Sequence, residues 1–123
     1  MTMPDERMRA VGWGDELLEQ IASDAALSDT MIAAAKRIAL TYPTPQALEE
    51  RLRSGAAGLP PEWTIALLDA LELFDEMRVG ALGSASTRSD LVYTLRHFPD
   101  KMTIRVMSRS SSMQEWLHLP MNW

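Results

Sequence analysis

The chain has 123 residues, 46% of them hydrophobic and 24% charged, the composition and length of a single globular domain able to build a core without staples. It contains no cysteine, so disulfides, thiol nucleophiles and thiolate metal sites are excluded. The formal charge of −5 opposes general phosphate-backbone binding, which is driven by Lys and Arg neutralising phosphates, and suits a basic partner or a neutral ligand.

Residues 4–80 read as four helices. Thr2 is a candidate N-cap, with Pro4, Asp5 and Glu6 in the first turn, where a proline and acidic groups both suit a helix start. Met8, Val11, Leu18 and Ala22, together with Ala10, Leu17, Ile21 and Ala25, recur at helical spacing. Gly12 and Gly14 flank Trp13 inside that pattern and predict a bend or break there. Ser28 caps a second helix striped by Met31, Ile32, Ala35, Ile38 and Ala39, which must stop near Tyr42 because Pro43 disfavours helical geometry before it. Thr44-Pro45 opens a short third helix with Leu48 and Leu52 on its apolar side, ended by Ser54-Gly55. Pro60-Pro61 leads into a fourth, in which Trp63, Leu67, Ala70, Phe74 and Met77 form the best periodic stripe in the chain, widened by Ile65, Leu68 and Leu71. This helix is expected at the centre of the core, with Gly80 as its C-cap.

Beyond it the composition changes. Residues 1–80 carry 7 basic and 14 acidic side chains, whereas residues 81–123 carry 5 basic and 3 acidic. Residues 81–89 are small and polar and read as a flexible connection. In residues 90–98, Leu91, Leu95 and Phe98 fit a helix opened by Thr87-x-x-Asp90 and equally a strand turning at Pro99-Asp100. Met102-Thr103-Ile104-Arg105-Val106 alternates apolar and polar residues as a half-buried strand does. Residues 115–121 alternate as well, although Ser112-x-x-Glu115 is a candidate cap for a short helix. The expected fold is a single α+β domain over residues 1–123, predominantly α. Four N-terminal helices form a small bundle, and a short antiparallel β-ribbon lies near the C-terminus. The tail is expected to pack, as an edge strand against residues 102–107 or across a subunit interface, because loose apolar surface is costly in water.

The opening MTMPDER followed by Met8-Arg9-Ala10-Val11, and a later Ala35-Lys36-Arg37 leading to Tyr42-Pro43, resemble a family of short uncharacterised proteobacterial proteins. Where that family usually has a leucine pair followed by Arg-His, this chain has Ile38-Ala39-Leu40-Thr41. The resemblance covers residues 1–45. It implies a bacterial origin and transfers no functional residue.

The motifs of common chemistries are missing. There is no GxxxxGK[ST] phosphate cradle, no Gly-x-Ser-x-Gly elbow around any serine, and no third glycine to complete a dinucleotide loop. His97 and His118 lack metal-ligand spacing, even with Asp90, Asp100 or Glu115 beside them, and read as surface or packed residues. No catalytic role, metal or cofactor is therefore expected.

Three features point to contact surfaces instead. Asp69, Glu72, Asp75 and Glu76 form an acidic ridge on the fourth helix; the plain reading is a solvated face, the sharper one a dock for a basic protein. Trp13, between glycines, and Trp116 and Trp123, in an apolar tail, are candidate aromatic anchors. Arg88, Arg96, Lys101, Arg105 and Arg109 interleave with Tyr93, Phe98 and Trp116, a pattern that single-stranded nucleic acid would use, here sparse and opposed by the acidic remainder. The expectation is a small cytoplasmic interaction protein, a regulator, adaptor or inhibitor, that meets a protein partner through the ridge or the tail and is able to self-associate. The alternative is a nucleic-acid-associated regulator using the basic C-terminal third, and an enzyme of unknown class comes third. The N-terminus lacks the basic and apolar regions of a signal peptide, and no apolar run approaches the length of a membrane span, so no membrane contact is expected.

Overall fold

Caps and prolines punctuate the chain, and the computed structural model, which describes residues 2–119, follows them closely through its first four helices. These are α1 (Pro4–Ala22), α2 (Asp29–Ala39), α3 (Pro45–Ser54) and α4 (Pro61–Gly80). The side chains of Ser28 and Thr44 accept the backbone N–H groups of Met31 and Ala47, each satisfying a donor that has no partner within its helix. Gly55 ends α3 at φ +70°, the left-handed conformation that costs glycine least. The cap of α1 differs from expectation. Met3 is the N-cap and its backbone N–H reaches the Glu6 carboxylate at 2.8 Å, while Thr2 lies against His97. At the far end of α4 the left-handed position falls on Ala81 rather than Gly80.

The C-terminal ribbon is overturned. Among the described residues there is no strand, and the fold is all-α: α5 (Ala85–His97), α6 (Lys101–Arg109) and a single 3₁₀ turn, Met113–Glu115, complete it. Residues 85–89, read as part of a connection, are the first turns of α5, whose cap is Ser84 rather than Thr87. The run 102–106, whose alternation reads as a half-buried strand, lies instead in α6, because five residues are too few to separate period two from a helical face. Burial decides it: Ile104 and Met107, three apart, are sealed in the core, whereas Met102 is 76% exposed. Asp100 supplies the start, its carboxylate accepting the Thr103 N–H at 2.7 Å. The tail packs, but not as an edge strand. Leu117 is buried and its N–H returns to the Met113 carbonyl. Arg7 donates to the Trp116 carbonyl at 2.9 Å and stacks 5.5 Å from that indole. Trp123 and the last residues of the tail lie outside the described residues.

Helix α1 packs on α2 and on α5, and α4 packs on α2, α5 and α6, so α1 and α4 lie across from each other with α2 and α5 between them. Leu67, Ala70, Phe74 and Met77 are fully buried and Trp63 half-buried, as the stripe predicts, while Ile65 is exposed. The core is shared rather than centred on α4. Met8, Val11, Leu18 and Ile21 of α1 are buried as completely.

Helix α1 runs unbroken through Gly12 and Gly14, and Gly14 admits a neighbour. The Tyr42 ring enters where a side chain at residue 14 would stand: a Cβ there would overlap Tyr42 Oη and lie 3.3 Å from Phe98. The Tyr42 hydroxyl donates to the Val11 carbonyl. Burial, and then the Asp15 carboxylate, push the phenol well above its usual range and keep it neutral. Phe98 continues the cluster, edge-on to Phe74 at 5.6 Å.

Candidate functional site: an aromatic and acidic cleft between α1 and α5

One residue before Gly14, the helix turns to the opposite environment. Trp13 is 39% exposed and forms one wall of an open cleft of about 380 Å³ between α1 and α5. That volume lies within the range of small-ligand sites, about 300–1,000 Å³. Trp13, Glu16 and Gln20 follow at i, i+3 and i+7 on one face of α1, and Asp90, Tyr93 and Thr94 face them from α5. Leu17 and Thr94 form a buried floor, and Tyr93 is 56% exposed.

The junction that sets the two helices side by side is polar. Asp24, just past the end of α1, accepts the Ser84 N–H at 2.9 Å through one carboxylate oxygen and the Ala26 N–H at 2.9 Å through the other. The Ser84 amide first, then the Thr87 hydroxyl and the Ala26 amide, hold its pKa down at about 2. Gln20 adds a hydrogen bond from Nε2 to Ser86 at 3.3 Å. At the other end of the seam, His97 of α5 meets the Glu6 carboxylate at 3.2 Å and the Thr2 hydroxyl at 3.2 Å.

The cleft is electronegative. Glu16 and Asp90 line it, and Glu16 belongs to a run of carboxylates with Asp15 and Glu19. Desolvation first, then the charges of Glu19 and Glu16, raise the Asp15 carboxyl above its ordinary value. Two aromatic rings with carboxylates beside them attract a cation both through the ring quadrupoles and through charge.

The residues singled out in the sequence fall in separate places. In the α4 ridge, Asp69 pairs with Arg37 at 3.6 Å and Asp75 with Arg78 at 2.6 Å, while Glu72 and Glu76 are exposed and make no ion pair among the described residues. Trp116 is half-buried under Arg7. His118 lies beside Leu52, Arg53 and Leu119, away from the Thr2 and Glu6 partners of His97, and no group of acidic and histidine side chains among the described residues is placed to hold a metal. Of the proposed partner-contact residues among the described ones, only Trp13 lines the cleft. Glu16 and Gln20 escaped the sequence reading, although their spacing from Trp13 along an exposed helix face is a readable signal; Asp90 and Tyr93 were noticed there for other chemistries.

No family model, curated protein or solved structure matches this chain. No helix among the described residues is long and apolar enough to cross a membrane.

Proposed function

We propose that this protein is an interaction module, a small adaptor or regulator, that docks a positively charged segment of another protein in the α1/α5 cleft. One observation carries the reading: an exposed tryptophan and an exposed tyrosine line the same concavity as two carboxylates. Aromatic anchors of this kind dominate protein interfaces, and desolvated cation–π contacts contribute up to about 2 kcal/mol each. The net charge of −5 adds long-range attraction for a basic partner. Glu72 and Glu76 of α4, which make no ion pair among the described residues, offer such a partner a second, weaker hold. The tail is less suited to the role, since Trp116 and Leu117 are engaged with their own chain.

A photo-crosslinking residue placed at Gln20 in the full-length protein, expressed in the native host, tests this. The cross-linked partner peptide should be rich in Lys or Arg, and Glu16→Lys combined with Asp90→Lys should abolish its capture. Capture unchanged by the double reversal would refute docking in the cleft.

A further inference from the structure

We infer that the cation recognised by the α1/α5 cleft is a peptide-bound arginine side chain, an assignment that rests on the docking reading and narrows it. The lining is rich in hydrogen-bond acceptors. Glu16 and Asp90 bring ionised carboxylates, which only accept. Gln20 donates one Nε2–H to Ser86, which leaves its Oε1 and a second N–H open. Thr94 is 2% exposed and lines the cleft, and its hydroxyl both accepts and donates. The donors of the lining, the Trp13 indole N–H, the Tyr93 and Thr94 hydroxyls and the second Nε2–H of Gln20, are all neutral, so the two carboxylates set the charge of the site.

A guanidinium complements that inventory in number and in shape. It carries five N–H donors in a rigid plane and no acceptor, and its faces stack on aromatic rings. A lysine ammonium has three donors and no plane, and a quaternary ammonium has no donor at all. The protein already makes this contact twice, once on the cleft's own tyrosine and once on Trp116. Arg96, outside the cleft lining, sits 5.4 Å from the Tyr93 ring centre, and Arg7 sits 5.5 Å from that of Trp116. Free arginine fits less well than arginine within a peptide. No Lys or Arg lines the cleft to receive an α-carboxylate, which would face Glu16 and Asp90. A nucleic-acid phosphate meets the same repulsion.

The probe is the capped peptide acetyl-Gly-Arg-Gly-amide, titrated into the full-length protein while NMR follows the Trp13 indole N–H and the amides of residues 16–20 and 90–94. Saturable shifts with a millimolar Kd are expected. The citrulline peptide, equal in shape but neutral, should leave these signals in place, and the lysine peptide and free arginine should each bind about tenfold more weakly. Asp90→Asn and Glu16→Gln should each weaken arginine binding by about tenfold, the effect of losing one charge-assisted hydrogen bond. Thr94→Val should narrow the arginine-to-lysine ratio without altering the fold's amide spectrum. Equal binding of the lysine and arginine peptides would overturn the arginine assignment and leave the docking reading standing. No shift with any peptide, while photo-capture from position 20 still depends on Glu16 and Asp90, would overturn it in the same way. No shift together with capture indifferent to those carboxylates would overturn both.

Discussion

Trp13 and Gly14 are neighbours in α1, yet one faces an open seam and the other a sealed one. On the sealed side, Gly14, Tyr42, Phe98 and Phe74 fill space so completely that a single Cβ has no room. On the open side, α1 and α5 are pinned by Asp24 and Ser84 near one end and by Glu6 and His97 near the other, and a cavity lies between the rings of Trp13 and Tyr93. The difference teaches that the missing side chain at residue 14 does not loosen α1. It lets Tyr42 and Phe98 pack directly against the backbone of one helix face, while the residues on the other face line the seam with α5.

The strongest test of the sealed side is Phe74→Ala. Phe74 is fully buried, and its loss should cost about 3–5 kcal/mol, measured by urea or thermal unfolding. A loss below 1 kcal/mol would mean that the Phe74–Phe98 cluster is not the sealed side of the comparison. Gly14→Ala should come next, at about 1–3 kcal/mol, because the added methyl meets the buried Tyr42 ring and the ring has nowhere to go. Pairing it with Tyr42→Phe, which removes the Oη atom nearest that methyl, should recover part of the loss. Failure of the pair to couple would separate Gly14 from Tyr42.

The Asp24 junction sharpens the comparison through pH. Its carboxyl is depressed from an ordinary value of 3.8 to about 2 in the folded protein. A group with a depressed folded pKa contributes stability that is complete above its unfolded pKa and disappears as pH falls through the folded one. Asp24→Asn should therefore lower Tm at pH 7, and the gap between wild type and variant should close as pH falls from about 4 toward 2. A gap independent of pH would show that the amide replaces the carboxylate fully. The smallest effects belong to the open side. Tyr93→Ala and Asp90→Asn change exposed side chains that support no core contact and should each move stability by no more than about 0.5 kcal/mol. A larger loss would make the cleft a structural seam rather than a binding one.

Legibility followed the strength of local signals. Ser28, Thr44-Pro45 and Pro60-Pro61 mark helix starts by their own chemistry, and the Trp63–Met77 stripe repeats over enough turns to leave one period standing. In α6 the apolar positions are too few for that. Met102, Ile104 and Val106 suggest a strand, and Ile104 with Met107 a helix; the choice falls to whichever pair α4 can bury. The cleft was harder still. Glu16 and Asp90 lie 74 positions apart, and nothing local to either one announces the other.

The sequence by itself determined the caps at Ser28, Thr44 and Gly55, the four N-terminal helices, the buried stripe of α4 and the acidic balance, because each depends on neighbours within a turn or two or on simple charge. Tertiary structure alone decided that the C-terminal third is helical, that Gly14 makes room for Tyr42, that Asp69 and Asp75 are paired with arginines, and that Trp13 and Tyr93 line one cleft. Those outcomes depend on which surfaces exclude water together, and that is a property of the packed chain rather than of any segment within it.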